Sequence, residues 1–140
     1  QLVSINLSAV IVGAGVAAQL MAARGGGAIV NTASISAFRP KLSDAPYRAS
    51  KVGVVLFTQC CRELSEQGVR VNAIAPGVTD TSILDKLGDG ITRPAWLEPV
   101  MQGIRMWTPE EMAAVAVALV EDDSKIGEVV ELANEAAGAA

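Results

Sequence analysis

The sequence predicts an α/β protein built on a parallel sheet. Three observations carry that expectation. Short β-branched runs alternate with helix-like segments from one end of the chain to the other. No repeat and no linker-like change of composition interrupts the alternation, so 1–140 reads as a single domain, the size one domain usually has. With 51% hydrophobic and 19% charged residues the chain can build a real core and is too apolar to be disordered.

The elements follow in order. Residues 2–24 are nearly all small or apolar and Gly25-Gly26-Gly27 stops them. One reading makes 7–24 a buried helix in which Gly13 and Gly15 permit close packing. The other makes Ala9–Val12 a strand and Gly13–Ala18 (GAGVAA) a G-x-G-x-x-A phosphate turn opening a helix. That turn needs an acidic partner about 20 residues on for the ribose hydroxyls, and 30–38 (VNTASISAF) holds none, so the helix is preferred. Ala28–Ala33 is a short buried-type strand, and 35–46, with Pro40 and Pro46, reads as a loop. Tyr47–Gln67 is a helix, with Val52, Val55, Leu56, Gln59, Cys60 and Leu64 near helical spacing and Gly68 as its stop. Val69–Ala75 is a strand closed by Pro76-Gly77, and 78–108 is irregular with helical stretches. Thr108-Pro109-Glu110-Glu111 is a helix start, with a hydroxyl cap, proline in the first turn and acids near the positive end of the dipole. That helix runs to about Asp122, Glu128–Leu132 is the last strand, and the small-residue tail after it reads as loose.

Composition excludes several functions. With no histidine, Ser-His-Asp and Cys-His hydrolases and nearly every zinc enzyme are removed, and no metal site is expected. A net charge of −4 argues against a nucleic-acid face. The two cysteines, Cys60 and Cys61, are adjacent and staple nothing, which suits a reducing compartment such as the cytoplasm. No uninterrupted apolar run reaches the roughly 20 residues of a membrane span, and no signal peptide opens the chain, so no membrane partner is expected. A start at Gln1 suggests a piece of something longer.

Tyr47 and Lys51 form a Y-x-x-x-K pair one helical turn apart, on one face. A phenol, with pKa about 10, is a poor base near neutrality; a neighbouring ammonium favours its anion. Tyr47 can then exchange a proton with an alcohol or a carbonyl, work usually given to histidine. Thirteen residues before Tyr47, Ser34 ends a strand, at the edge where parallel sheets collect ligand-binding groups. The Pro76–Thr81 segment ends another strand at the same edge, and Asn6 sits at the start of the first helix.

These residues resemble the second half of a short-chain dehydrogenase/reductase. NTAS, the Y-x-x-x-K thirteen residues later, VNAIAPGVTDT over Val71–Thr81, INLSA around Asn6 and the late GEVVEL stand in that family's order and spacing. The resemblance implies a Rossmann-like, doubly wound parallel sheet, present here as the C-terminal half. It implies an NAD- or NADP-dependent exchange between a secondary alcohol and a ketone, with Tyr47 as general acid/base. Lys51 would assist it and bind the nicotinamide ribose, Ser34 would bind the substrate oxygen together with Tyr47, and Asn6 would join a proton-relaying water chain. Pro76, Gly77, Thr79 and Thr81 would pack along the nicotinamide, and the intact protein would be a homodimer or homotetramer. LVEDDSKIGEVVEL and VRVNAIAPGVTDTSIL look most like the 15-hydroxyprostaglandin dehydrogenase branch, which inclines the cofactor toward NAD.

The family's T-G-x-x-x-G-x-G turn and its N-N-A-G segment have no counterpart in the sequence. The strands present are therefore expected to expose an edge and an apolar face, to hold a dinucleotide weakly alone, and to fold poorly by themselves. The segment 83–107, with Trp96, Met101, Met106 and Trp107, is either an apolar lid or filler beneath a loop. Arg39 and Lys41 could meet a substrate carboxylate or simply be solvated, while Thr32, Ser36 and Ser50 read as local hydrogen-bonders. Two other functions stay open: a non-catalytic module that dimerises through helices 7–24 and 47–66, and a dinucleotide binder using GAGVAA.

Overall fold

A computed structural model describes residues 1–87 and 94–138. Three parallel strands form one sheet in the order β1 (Gly27–Thr32), β2 (Val69–Pro76), β3 (Val129–Leu132). The register sets Gly27 beside Val69, Thr32 beside Ile74 and Pro76 beside Leu132, so all three strands end at one edge. Helix α1 (Ala9–Ala22), led in by a wider, π-type turn at Ser4–Ser8, and helix α2 (Ala45–Cys60) cover one face. A short helix, α3 (Leu97–Gln102), and a longer one, α4 (Pro109–Glu121), follow.

Strand alternation decides what each helix buries. On one face Val69 and Val71 pack against Ala18 and Met21 of α1, and Ala75 packs with Val54 and Val55 of α2. On the other face Ile74, Val30 and Leu132 meet Met112, Val115 and Leu119 of α4. Helices on both faces make the sheet doubly wound, and residues near 9–18 are helical throughout. The Gly13–Ala18 segment thus lies inside α1 with its N–H groups spent on helical bonds, and GAGVAA cannot cradle a phosphate.

Several boundaries differ from expectation. Helix α2 opens two residues early, at Ala45, because Asp44 turns the chain with φ 60 and Pro46 suits a first turn. It loosens after Cys60 into a 3₁₀ stretch, Cys61–Gln67. Its buried side chains are Ser50, Val54, Val55 and Thr58, while Val52 and Leu56 face outward. Apolar residues lie on both sides of this helix, so spacing alone could not choose the inner one. The loop 35–46 contains a 3₁₀ turn, Ile35–Phe38.

One helical stretch is nonetheless long and apolar enough to cross a membrane by length and composition. Ser4–Ala22, nineteen residues of mean hydropathy 1.8, meets that test, since its glycines do not interrupt the helix. A core helix of a layered fold passes the same test, and Ala14 and Ala18 of this one are buried.

The close approach at Gly26 ties the glycine stop after α1 to the turn before β2. Gly26 has φ 117, and a Cβ there would lie 2.3 Å from the Gly68 carbonyl oxygen. At the far end, Thr108 caps α4. Its hydroxyl accepts from Glu111 N–H at 3.2 Å, and the Glu111 carboxylate accepts from Thr108 N–H at 2.8 Å.

Candidate active site

The common edge of the sheet gathers the residues singled out by sequence. Lys51, one turn along α2 from Tyr47, is half-buried, and its Nζ donates to the Thr32 carbonyl at the end of β1 over 2.9 Å. The same ammonium stands 5.8 Å from the centre of the Tyr47 ring. Burial pushes the Lys51 pKa below its ordinary value. Two of its three N–H groups remain for other partners.

Two residues past Thr32, Ser34 is buried and opens the 3₁₀ turn, its Oγ accepting from Ser36 N–H at 3.1 Å. Because Oγ accepts there, the hydroxyl proton is free to be donated. Arg48 holds this loop against the start of α2, donating to the carbonyls of Ser36 (3.4 Å), Ser43 (3.1 Å) and Arg39. Asn6 lies in the π-type turn, and its side-chain amide donates to Ser50 Oγ at 3.4 Å. Ser50 Oγ in turn donates to the Tyr47 carbonyl at 2.6 Å, linking the first helix to the Tyr47 turn. Asn6, Ser34, Tyr47 and Lys51 are therefore joined through the end of β1 and one turn of α2.

The Pro76–Thr81 ribbon lies next along the edge. Gly77 N–H donates to the Leu132 carbonyl at 2.9 Å, and a Cβ on Gly77 would fall 2.2 Å from Asn134 Oδ1 and 2.8 Å from that carbonyl oxygen. Only glycine fits. Thr79 Oγ1 donates to the Gly77 carbonyl at 3.3 Å, and Thr79 pairs with Trp107 in a short bridge. Thr81 accepts on its carbonyl from Leu84 N–H at 3.1 Å, closing the ribbon.

Of the two readings of 83–107, Trp107 fits the filler: its indole N–H donates to the Ala133 carbonyl at 3.2 Å, and its ring packs against the cluster of Ile74, Met112, Leu119 and Leu132. Trp96 is exposed and Met106 half-buried, and part of the supposed lid, 88–93, lies outside the described residues. The tail is also not loose throughout, because Asn134 bonds into the ribbon and Arg105 N–H donates to the Glu135 carbonyl at 2.9 Å. Sequence reading missed Asn134, although its place just after a parallel strand was a usable signal. Ser50 is more than a local hydrogen-bonder, since it accepts from a residue 44 positions away.

Lys51, Ser34 and the ribbon fit the nicotinamide-ribose end of a dinucleotide: an ammonium with spare donors, a hydroxyl with a free proton, and a backbone segment leading off the strand end. Among the described residues no glycine-rich turn leads from a strand end into a helix, so nothing there fits a pyrophosphate.

A parallel, doubly wound sheet with a Tyr-Lys pair and a serine at its carboxyl edge defines a dehydrogenase-like class. Comparison with known proteins agrees: residues 1–91 match the short chain dehydrogenase family. The chain is 38% identical over 117 residues to bovine (Bos taurus) dehydrogenase/reductase SDR family member 4, covering 81% of this chain and 42% of the relative. Its structure resembles that of 3-hydroxyacyl-CoA dehydrogenase type-2 from Mycobacterium avium, with TM-score 0.79 and 31% identity over 94% of this chain and 53% of the other. The fold is also shared with 4-hydroxyisoleucine dehydrogenase complexed with NADH, at TM-score 0.79 and 23% identity, covering 94% of this chain and 56% of that one. The chain belongs to the short-chain dehydrogenase family. It spans less than half the length of the curated relative it matches.

Proposed function

We propose that this chain is the catalytic half of an NAD(P)-dependent oxidoreductase that interconverts a secondary alcohol and a ketone. The observation that carries the reading is Lys51, pinned to the Thr32 carbonyl and standing beside the Tyr47 ring, two residues from Ser34 along the backbone it holds. Tyr47 gives or takes the proton at the substrate oxygen. Ser34 donates its free hydroxyl proton to that oxygen, and Lys51 supplies positive charge beside the phenol and a donor to the ribose. Asn6, held by Ser50, joins the relay that returns the proton to water. Pro76, Gly77, Thr79 and Thr81 pack along the nicotinamide face. The bound nicotinamide supplies or accepts the hydride. The resemblance to the 15-hydroxyprostaglandin dehydrogenase branch inclines this reading to NAD over NADP, and the free adjacent cysteines suit the cytoplasm.

The test is Tyr47→Phe in the full-length protein. Turnover should fall by about 10²–10⁴, the usual worth of a positioned acid/base, with NAD(H) affinity and unfolding temperature unchanged. Retained turnover overturns the role of Tyr47.

A second reading, association through α1 and α2, is favoured by their outer faces. Val12 and Val16 of α1 are 65% and 54% exposed, and Leu56 of α2 is 59% exposed. Exposed apolar side chains of this kind suit an interface, and a homodimer or homotetramer would cover them. Sedimentation of the full-length protein as a monomer at micromolar concentration would remove this reading.

A further inference from the structure

We propose that Asn134 is a positioning residue whose side-chain amide sets the height of the Gly77–Thr81 ribbon, and so its presentation to the nicotinamide end of the cofactor. The inference rests on the dinucleotide reading above and extends it to a residue outside the catalytic motifs.

Asn134 spends its whole amide on backbone. Oδ1 accepts from Val78 N–H at 2.6 Å, while Nδ2 donates to the carbonyls of Val78 at 2.8 Å and Arg105 at 3.1 Å. Pairing both main-chain groups of one residue is what a neighbouring strand does. Main-chain pairing along β2 and β3 ends where Gly77 N–H meets the Leu132 carbonyl, and the Asn134 side chain then extends it by one residue. The missing Cβ of Gly77 is what lets the amide in, because a methyl there would sit 2.2 Å from Oδ1.

The ribbon is gripped from its other side as well. Trp107 N–H donates to the Val78 carbonyl at 3.1 Å, and Asp80 N–H donates to the Trp107 carbonyl at 2.8 Å. The Val78 carbonyl thus accepts from both Asn134 and Trp107, and Asn134 fastens the same 105–107 segment through Arg105. One amide fixes the end of β3, the ribbon and the segment beyond it at a single spacing. An aspartate at 134 would keep nearly the same shape and the acceptor for Val78 N–H. It would lose both donors and set a carboxylate against two carbonyl oxygens.

The experiment compares wild type, Asn134→Ala and Asn134→Asp in the full-length protein. Hydrogen exchange without cofactor, read at the amides of Val78, Asp80 and Trp107, should be about tenfold faster in both variants, the scale expected for losing a partly buried hydrogen bond. NADH dissociation constants from fluorescence titration and the KM for cofactor should rise by a similar factor, while kcat at saturating cofactor changes less than twofold. Unchanged exchange in a folded variant overturns the proposal. So does faster exchange with wild-type affinity for NADH, because Asn134 would then be structural only. If the alanine variant does not fold, the near-isosteric aspartate carries both measurements. Wild-type protein that binds neither NADH nor NADPH instead defeats the dinucleotide reading, and the cofactor role of Asn134 with it.

Discussion

The carboxyl edge of the sheet and the outer face of α1 and α2 are built on opposite terms. At the edge polar side chains are tied to backbone while some donors stay spare: Lys51 to Thr32, Ser34 to Ser36, Asn134 to Val78 and Arg105. Ala33, Val54 and Ala75 beneath it are almost wholly buried. On the outer face Leu2, Ile5, Val12, Val16 and Leu20 of the first helical stretch stand in the open, with Val52 and Leu56 beside them. A helix that is apolar all round normally belongs inside something. The sheet is open at both sides, since β1 and β3 each pair only with β2 among the described residues. The edge is closely hydrogen-bonded, and the outer face leaves large apolar side chains exposed.

The contrast can be broken in order of expected effect. The loss of turnover in Tyr47→Phe is the largest. Next comes Gly77→Ala, which forces a methyl into the Asn134 amide and the Leu132 carbonyl, neither free to move. Destabilisation of about 1–3 kcal/mol is expected by denaturant unfolding, and an unchanged midpoint would mean the ribbon yields more easily than its bonds suggest. Away from the edge the effects shrink. Bonding from the Thr108 N–H, and then Arg105, holds the Glu111 carboxyl below the usual carboxylate range. A lowered folded-state pKa means the stability from ionised Glu111 is fully present above its unfolded value, about 4.3, and is lost as pH falls through the lower folded value. Thermal unfolding across that acid window should lose this dependence in Glu111→Gln. Smallest for the fold itself is Val16→Ser on the outer face, expected within about 0.5 kcal/mol of wild type. If that face is an interface, the same substitution weakens association in sedimentation, which sharpens the comparison from the other side.

Much of the candidate site was legible because its residues are set by spacing. Tyr47 and Lys51 share a helical face by arithmetic, Ser34 and Gly77 mark strand ends, and the glycine stop and Thr108 start are local signals. What was not legible depends on which side of an element meets the core. Val52 and Leu56 follow helical spacing as well as Val55 does, so only packing could tell inward from outward. The Asn134 bonds to Val78 join residues 56 positions apart, and the Trp107 indole bond spans 26, separations at which no local pattern operates. Helix α1 shows the converse: its uniform apolarity announced a helix but hid its orientation, because no polar stripe marks its solvent side.

The bridge between Thr79 and Trp107 brings the two ends of an intervening stretch of chain together. The entropy of closing such a stretch grows only with the logarithm of its length, about 0.6 kcal/mol for each doubling. Residues can therefore be added or removed between these anchors at little thermodynamic cost, while Thr79 and Trp107 keep their places.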